Sequence, residues 1–208
     1  MAAQARGLIA IAAPLFAVKP LEWQVPEASA YSGLLVTSAN AIRHGGAGVA
    51  AFRGLPVYAV GESSAHAARA AGFAVAHEGA GGVSEIIAHL PSPGRLLHLG
   101  GVDVTPFEAG IPVDHIPVYK SEARHPVDLE HWLETRPIAL LHSVRAAQHF
   151  AALVADRSQI AIAAFSAAIA TAAGIGWESL AVAANPRDED LLAIAQQLAG
   201  IRDDDPRL

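Results

Sequence analysis

The sequence predicts an α/β protein whose parallel sheets are covered by helices. Three observations carry the prediction. Short β-type runs alternate with Ala-rich helical runs. The runs are apolar throughout instead of alternating, which marks strands buried on both faces. A strand–helix unit early in the chain returns later in the same order.

Taken in order, the strands are read at 34-LLVT-37, 57-VYAV-60, 96-LLHL-99, 138-IALL-141 and 160-IAIA-163. Helices are expected near 40–52, 64–71, 83–90, 144–155 and 166–173. Gly72 and Gly174 follow Ala-rich helices, where a left-handed residue often ends the helix. The repeat aligns 34-LLVTSANAI-42 with 139-ALLHSVRAA-147, and 59-AVGESSAHAARAAG-72 with 161-AIAAFSAAIATAAG-174. Ser38 then pairs with Ser143 at an offset of 105, and Ser64 with Ser166 at 102. Two similar lobes follow from this; one large sheet is the simpler alternative.

Two extended segments interrupted by Pro, 14-PLFAVKPLEW-23 and 112-PVDHIPVYKSEA-123, suit edge or linker strands better than central ones. With both crossing between lobes, residues 22–116 form one continuous lobe. Residues 1–15 and 122–208 form the other, discontinuous lobe, and 16–21 and 117–121 are the linkers.

Composition narrows the function. Hydrophobic residues make up 52% of the 208-residue chain and charged residues 16%, which is ample for a buried core and argues against disorder. No apolar run is long enough to span a membrane, and the start reads poorly as a signal peptide. With no Cys, disulfides and thiolate metal sites are excluded, and a cytoplasmic location fits. A net charge of −6 disfavours nucleic acid and anionic membrane as partners. Any anionic ligand must therefore meet local donors.

Such donors are expected at the carboxyl ends of the strands, where parallel sheets gather ligands. Thr37-Ser38-Ala39-Asn40, Gly61-Glu62-Ser63-Ser64, His142-Ser143-Val144-Arg145 and Ala164-Phe165-Ser166 each follow a strand and open a helix. Helix starts offer unpaired N–H groups and partial positive charge, so they can hold a carboxylate without Lys or Arg. Each Ser is equally an ordinary helix cap worth about 1 kcal/mol; four in matched positions point to a shared ligand face. Gly45-Gly46-Ala47-Gly48 lacks the strand and Lys of a P-loop. Gly100-Gly101 admits either a ligand near the backbone or a plain turn. The ten His residues show no HExxH and no compact cluster, so no metal site is expected. His44, His98 and His142, near strand ends, read either as facing the cleft or, more commonly, as partly exposed loop residues. Tyr119, in 116-IPVYK-120, is placed either to donate a proton or as a half-buried strand aromatic. Lys120 beside it points away in a regular strand.

The stretches LLVTSANAIRH, LPVYAVGESSAHAARAAGF, RLLHLGG, IPVYKSEA, LLHSVRAAQHF and IAIAAFSAAIATAAG, in this order, resemble uroporphyrinogen-III synthases. The resemblance implies two parallel-sheet, flavodoxin-like lobes joined by a two-stranded ladder. It implies a lyase that cyclises hydroxymethylbilane, a tetrapyrrole with eight carboxylates, losing water and inverting the last ring through a spiro intermediate. No metal or cofactor takes part, and a monomer is expected. On the same resemblance Tyr119 is the catalytic proton donor and Ser38, Ser64, Ser143 and Ser166 bind substrate; Thr37, Ser63 and Gly101, beside them at the strand ends, are assigned to substrate binding from their position. Ala163 stands where the family often has Gly, Ser166 where it often has Thr, and Gly100 where a basic residue is common. The lobe holding the N-terminus lacks the family's usual first strand, so 8-LIAIAAPLF-16 reads as the second. Three accounts of that gap are open: a start further upstream, residues 8–12 filling the place, or a strand from another chain. The alternative function is a non-catalytic two-lobed binder of a small anion.

Overall fold

The computed structural model describes residues 2–79, 83–89 and 94–203. The chain divides into two compact units, residues 17–122 and residues 1–16 with 123–208.

The 17–122 unit is built on a sheet of β1 (Phe16–Pro20), β2 (Gly33–Val36), β3 (Val57–Ala59), β4 (Val75–Glu78), β5 (Leu96–Gly101) and β6 (Val113–Ala123), in the order β1-β6-β5-β2-β3-β4. The pairs β6–β5, β5–β2, β2–β3 and β3–β4 are parallel. From β2 the chain steps outward through α1 (Ala39–His44) to β3 and α2 (Glu62–Ala70) to β4. It then returns past β2, through α3 (Val83–Ile87), to β5. Right-handed crossovers in opposite directions put their helices on opposite faces. Accordingly Leu34, Val36, Leu97 and Leu99 face Ala41, Ala65 and Ala68 of α1 and α2, while Leu35, Tyr58 and Leu96 face Ile86 of α3. The parallel order differs from the flavodoxin-like 2-1-3-4-5, because β3 and β4 lie on the same side of β2. The direction of winding reverses between β2 and β5.

The other unit has a parallel sheet β7-β8-β9 from β7 (Ile138–Leu141), β8 (Ala161–Ala164) and β9 (Ser179–Val182). Phe150 of α5 (Val144–Leu153) and Ile169 of α6 (Ala167–Ala173) pack on one face with Ile162 and Ala164. Leu191 and Leu198 of α7 (Asp188–Asp203) pack on the other with Ala161 and Ala163. Helix α4 (Leu129–Glu134) precedes β7 and adds Leu129 to the first cluster.

The five strands expected are present, but several expectations need correction. Residues 8–15 form no strand: the Leu8 N–H bonds back to the Ala3 carbonyl, the Leu15 carbonyl accepts from the Arg124 N–H, and Ile9 is 92% exposed. A strand needs an edge for its backbone groups, and residues 8–12 take none among the described residues. The helix expected over 40–52 ends at His44 and resumes as a 3-10 turn at Ala47–Phe52, because Gly46 adopts a positive φ of 69°. The strand containing Tyr119 is not an edge: β6 runs between β1 and β5, and its Pro117 sits opposite Gly100 beside a register shift. Such irregularities tolerate a residue without an N–H. Residue 90, in the helix expected near 83–90, lies outside the described residues.

The repeat also changes register. Both halves are offset by 105: β2 and Ser38 match β7 and Ser143, and Ala59 with Gly61 matches Ala164 with Ser166. Aligning Gly72 with Gly174 misled the second half, because α6 is two residues shorter than α2. Both glycines do take positive φ, 84° and 75°.

Candidate active site

Open parallel sheets bind ligands outside the carboxyl ends of the strands where the winding reverses. In the 17–122 unit that place is the end of β2 and β5, and there Thr37, Ser38, Gly100 and Gly101 lie.

Gly100 and Gly101 organise it. They end β5, where pairing with β6 shifts register so that Gly101 meets Tyr119 and not Val118. A Cβ on Gly101 would stand 2.9 Å from the Tyr119 ring and 3.2 Å from its hydroxyl. A Cβ on Gly100 would stand 2.9 Å from His115 Nε2 and 3.2 Å from His98 Nε2. Both contacts are too close for any side chain but hydrogen, so each glycine makes room for the protein's own functional groups. Successive strand residues face opposite ways, and the two recesses open on opposite faces of β5.

On one face Tyr119 is half-buried, packed on the α1–α2 core, with the His44 ring 6.5 Å away. Lys120 is turned elsewhere, in an ion pair of 2.6 Å with Glu122. Ser38 caps α1 by accepting from the Asn40 N–H at 3.2 Å.

On the other face, His98 is 2% exposed, and its Nε2 lies 2.9 Å from Thr37 Oγ1. His98 is thus a buried strand residue, not a loop residue. The His115 ring lies 4.9 Å from it between centroids, and Phe107 meets it edge-on at 5.7 Å. Burial, and secondarily the neighbouring His115, push the His98 pKa down to about 4. Its imidazole is neutral near pH 7, with one nitrogen as donor and one as acceptor. His115 is also lowered, by burial, against a backbone hydrogen bond with Gly101 that favours its protonated form.

The second helix start of this unit differs from expectation. Gly61 caps α2; Ser63 is exposed in the first turn, and Ser64 is 4% exposed inside the helix. Ser64 is therefore not a cap, since the true repeat register places Gly61 opposite Ser166. In the other unit, Ser143 caps α5 by accepting from the Ala146 N–H at 3.1 Å, and is exposed. Ser166 has cap geometry but makes no side-chain cap bond. His142 lies 3.4 Å from Asp188 and beside Phe165. A shallow apolar hollow lined by Thr171, Ile175, Trp177 and Leu180 lies at the far end of α6 from its start, and its lining suits no polyanion.

Of the residues expected at a site, Thr37, Gly101 and Tyr119 lie together at the ends of β2, β5 and the neighbouring β6, while the pairing of His98 with His115 beside them was not expected. The available signal was register: strands LLHLGG and VDHIPVY set side by side bring the two imidazoles together.

A family model described as uroporphyrinogen-III synthase HemD matches residues 1–193. No curated protein sequence matches the chain. Among solved structures, the chain is similar to a uroporphyrinogen-III synthetase from Helicobacter pylori. The TM-score is 0.70 at 19% identity, over 88% of this chain and 91% of that one. It is also similar to a mutant uroporphyrinogen III synthase from the extremely thermophilic bacterium Thermus thermophilus, with TM-score 0.52 at 18% identity over 98% and 93%. These likenesses are of fold, an α/β arrangement with parallel sheets.

Proposed function

The chain belongs to the uroporphyrinogen-III synthase family, lyases of tetrapyrrole biosynthesis, and on that premise we propose that Tyr119 is its proton donor and that its helix starts hold the carboxylates of hydroxymethylbilane.

The observation that carries this reading is the seating of Tyr119 against Gly101. The recess fixes the phenol at the carboxyl end of β5, half-buried, where a substrate can reach it. The chemistry needs a donor there. The terminal hydroxyl of the bilane leaves as water only after gaining a proton, and a positioned side chain assists such a step by about 10²–10⁴-fold. Holding the flexible chain is the other requirement. Unaided, the reactive bilane closes without inverting its last ring, so attack at the substituted carbon must be favoured by position.

Ser38, Ser143 and Ser166 each open a helix, and Thr37 and Ser63 stand beside such openings. Their hydroxyls and the adjacent N–H groups are the assigned donors to substrate carboxylates, which suits a protein of net charge −6. Ser64 is buried within the first turn of α2, and Gly101 contributes the room that Tyr119 needs. We read the two compact units as the family's two lobes, and the enzyme as a cytoplasmic monomer that uses side chains alone, with no metal, cofactor or nucleic acid. Among the described residues no helix is long and apolar enough to cross a membrane.

Tyr119→Phe tests the assignment and the competing idea of a passive anion receptor, which family membership does not favour. The ring keeps its packing and loses only its hydroxyl. The expected result is a fall in kcat of about 10²-fold with KM nearly unchanged. Wild-type kcat would remove Tyr119 from the chemistry.

A further inference from the structure

The proposed donor accounts for only one of the two protons that the cyclisation moves. The C–O bond breaks as the hydroxyl takes a proton and leaves as water. The pyrrole carbon that finally closes the ring must in turn shed its own proton. No oxidant or reductant is involved: the net loss is one water, with one proton supplied and one removed. An acceptor is therefore needed as well as the donor.

Resting on the synthase reading, we propose that His115 is this proton acceptor, with the buried His98–Thr37 pair as its positioning residues. Four features of the structure support the assignment. His115 is exposed while His98 is buried, so only the outer imidazole is open to a substrate. Gly100 gives the Nε2 atoms of both rings a common recess that any Cβ would fill. The neighbouring glycine seats Tyr119 on the opposite face of β5, so donor and acceptor flank the same strand end from its two sides. The whole group lies where the winding reverses between β2 and β5. His98 is tied through this same Nε2 to Thr37 and meets Phe107 edge-on, contacts that fix its ring.

The elements packed on this face also bring Tyr58, His77, Glu85 and His89, and the loop after β5 brings Asp103 and Glu108. The protonation of His115 is set instead by the partial desolvation of its ring, which lowers its pKa, against the Gly101 backbone hydrogen bond, which raises it. Its lowered pKa leaves it neutral near pH 7. That suits a base and argues against a cationic clamp for carboxylates.

The test is a pH–rate profile on the full chain, with freshly made hydroxymethylbilane and both isomers of the product measured. Wild type should form the type III isomer with an acid limb below the ordinary imidazole range. His115→Asn should lower kcat by about 10²-fold, leave KM within a few-fold and flatten that limb; added imidazole should restore part of the rate. His115→Gln serves as a second variant, so that misfolding of one does not decide the outcome. His98→Gln should shift the limb without abolishing it. If wild type makes type III isomer and both His115 variants keep its kcat and limb, the acceptor assignment is overturned and the family reading stands. If wild type yields only type I isomer, both fall.

Discussion

The two copies of the strand–serine–helix repeat share a register yet sit in different surroundings. In both, a strand ends two residues before a serine that caps the next helix, Ser38 in one and Ser143 in the other. The strands differ sharply. β2 is wholly buried, flanked by β3 and β5, whereas β7 pairs only with β8 among the described residues and is mostly half-buried. The repeated part is therefore local, a strand and a cap. The polar cluster at the strand ends is completed by neighbours outside the repeat: β5 with its glycine pair and His98, and β6 with His115 and Tyr119.

The largest expected effect sharpens that contrast. His98 is neutral and buried in the 17–122 unit, and has no counterpart in the repeat. The unfolded chain takes up a proton near pH 6.5, while the folded chain resists it until about pH 4. Stability is thus full above the unfolded value and declines as pH falls towards the folded one, by ~3 kcal/mol in all. His98→Gln should remove most of that slope. Urea unfolding midpoints at a series of pH values between 4 and 7 measure it. An unchanged slope would show that the buried imidazole is not the acid-sensitive element.

A smaller effect probes the repeated part itself. Ser143→Ala removes a cap hydrogen bond and should cost about 1 kcal/mol. Ser166→Ala occupies the same structural place but loses no cap bond, so its cost should be clearly less. Thermal or urea unfolding of the two variants decides it. Equal losses would mean that the Ser143 bond does not carry the difference.

How far the sequence could be read follows the same division. Buried central strands are unbroken apolar runs, and 34-LLVT-37, 96-LLHL-99 and 160-IAIA-163 were legible for that reason. β4 and β9 were not, because each alternates half-buried and exposed residues at a sheet edge and is only four residues long. Helix α7 was also unread: its acidic first turn, Asp188 to Asp190, is a start signal that went unused. At the strand ends, Tyr119 was singled out from its motif, and Thr37 from its place before a cap. The His98–His115 pair depends on which residues two strands set side by side, which composition and spacing along one chain do not contain. Ser64 was misplaced because a shorter helix shifted the apparent repeat.

The central claim is that the donors at these strand ends direct closure of a linear tetrapyrrole with its last ring turned over. Incubating the purified chain with hydroxymethylbilane, oxidising the products and separating the two porphyrin isomers tests it most directly. The account predicts a large excess of type III over the type I that forms spontaneously; product indistinguishable from the enzyme-free control would contradict it.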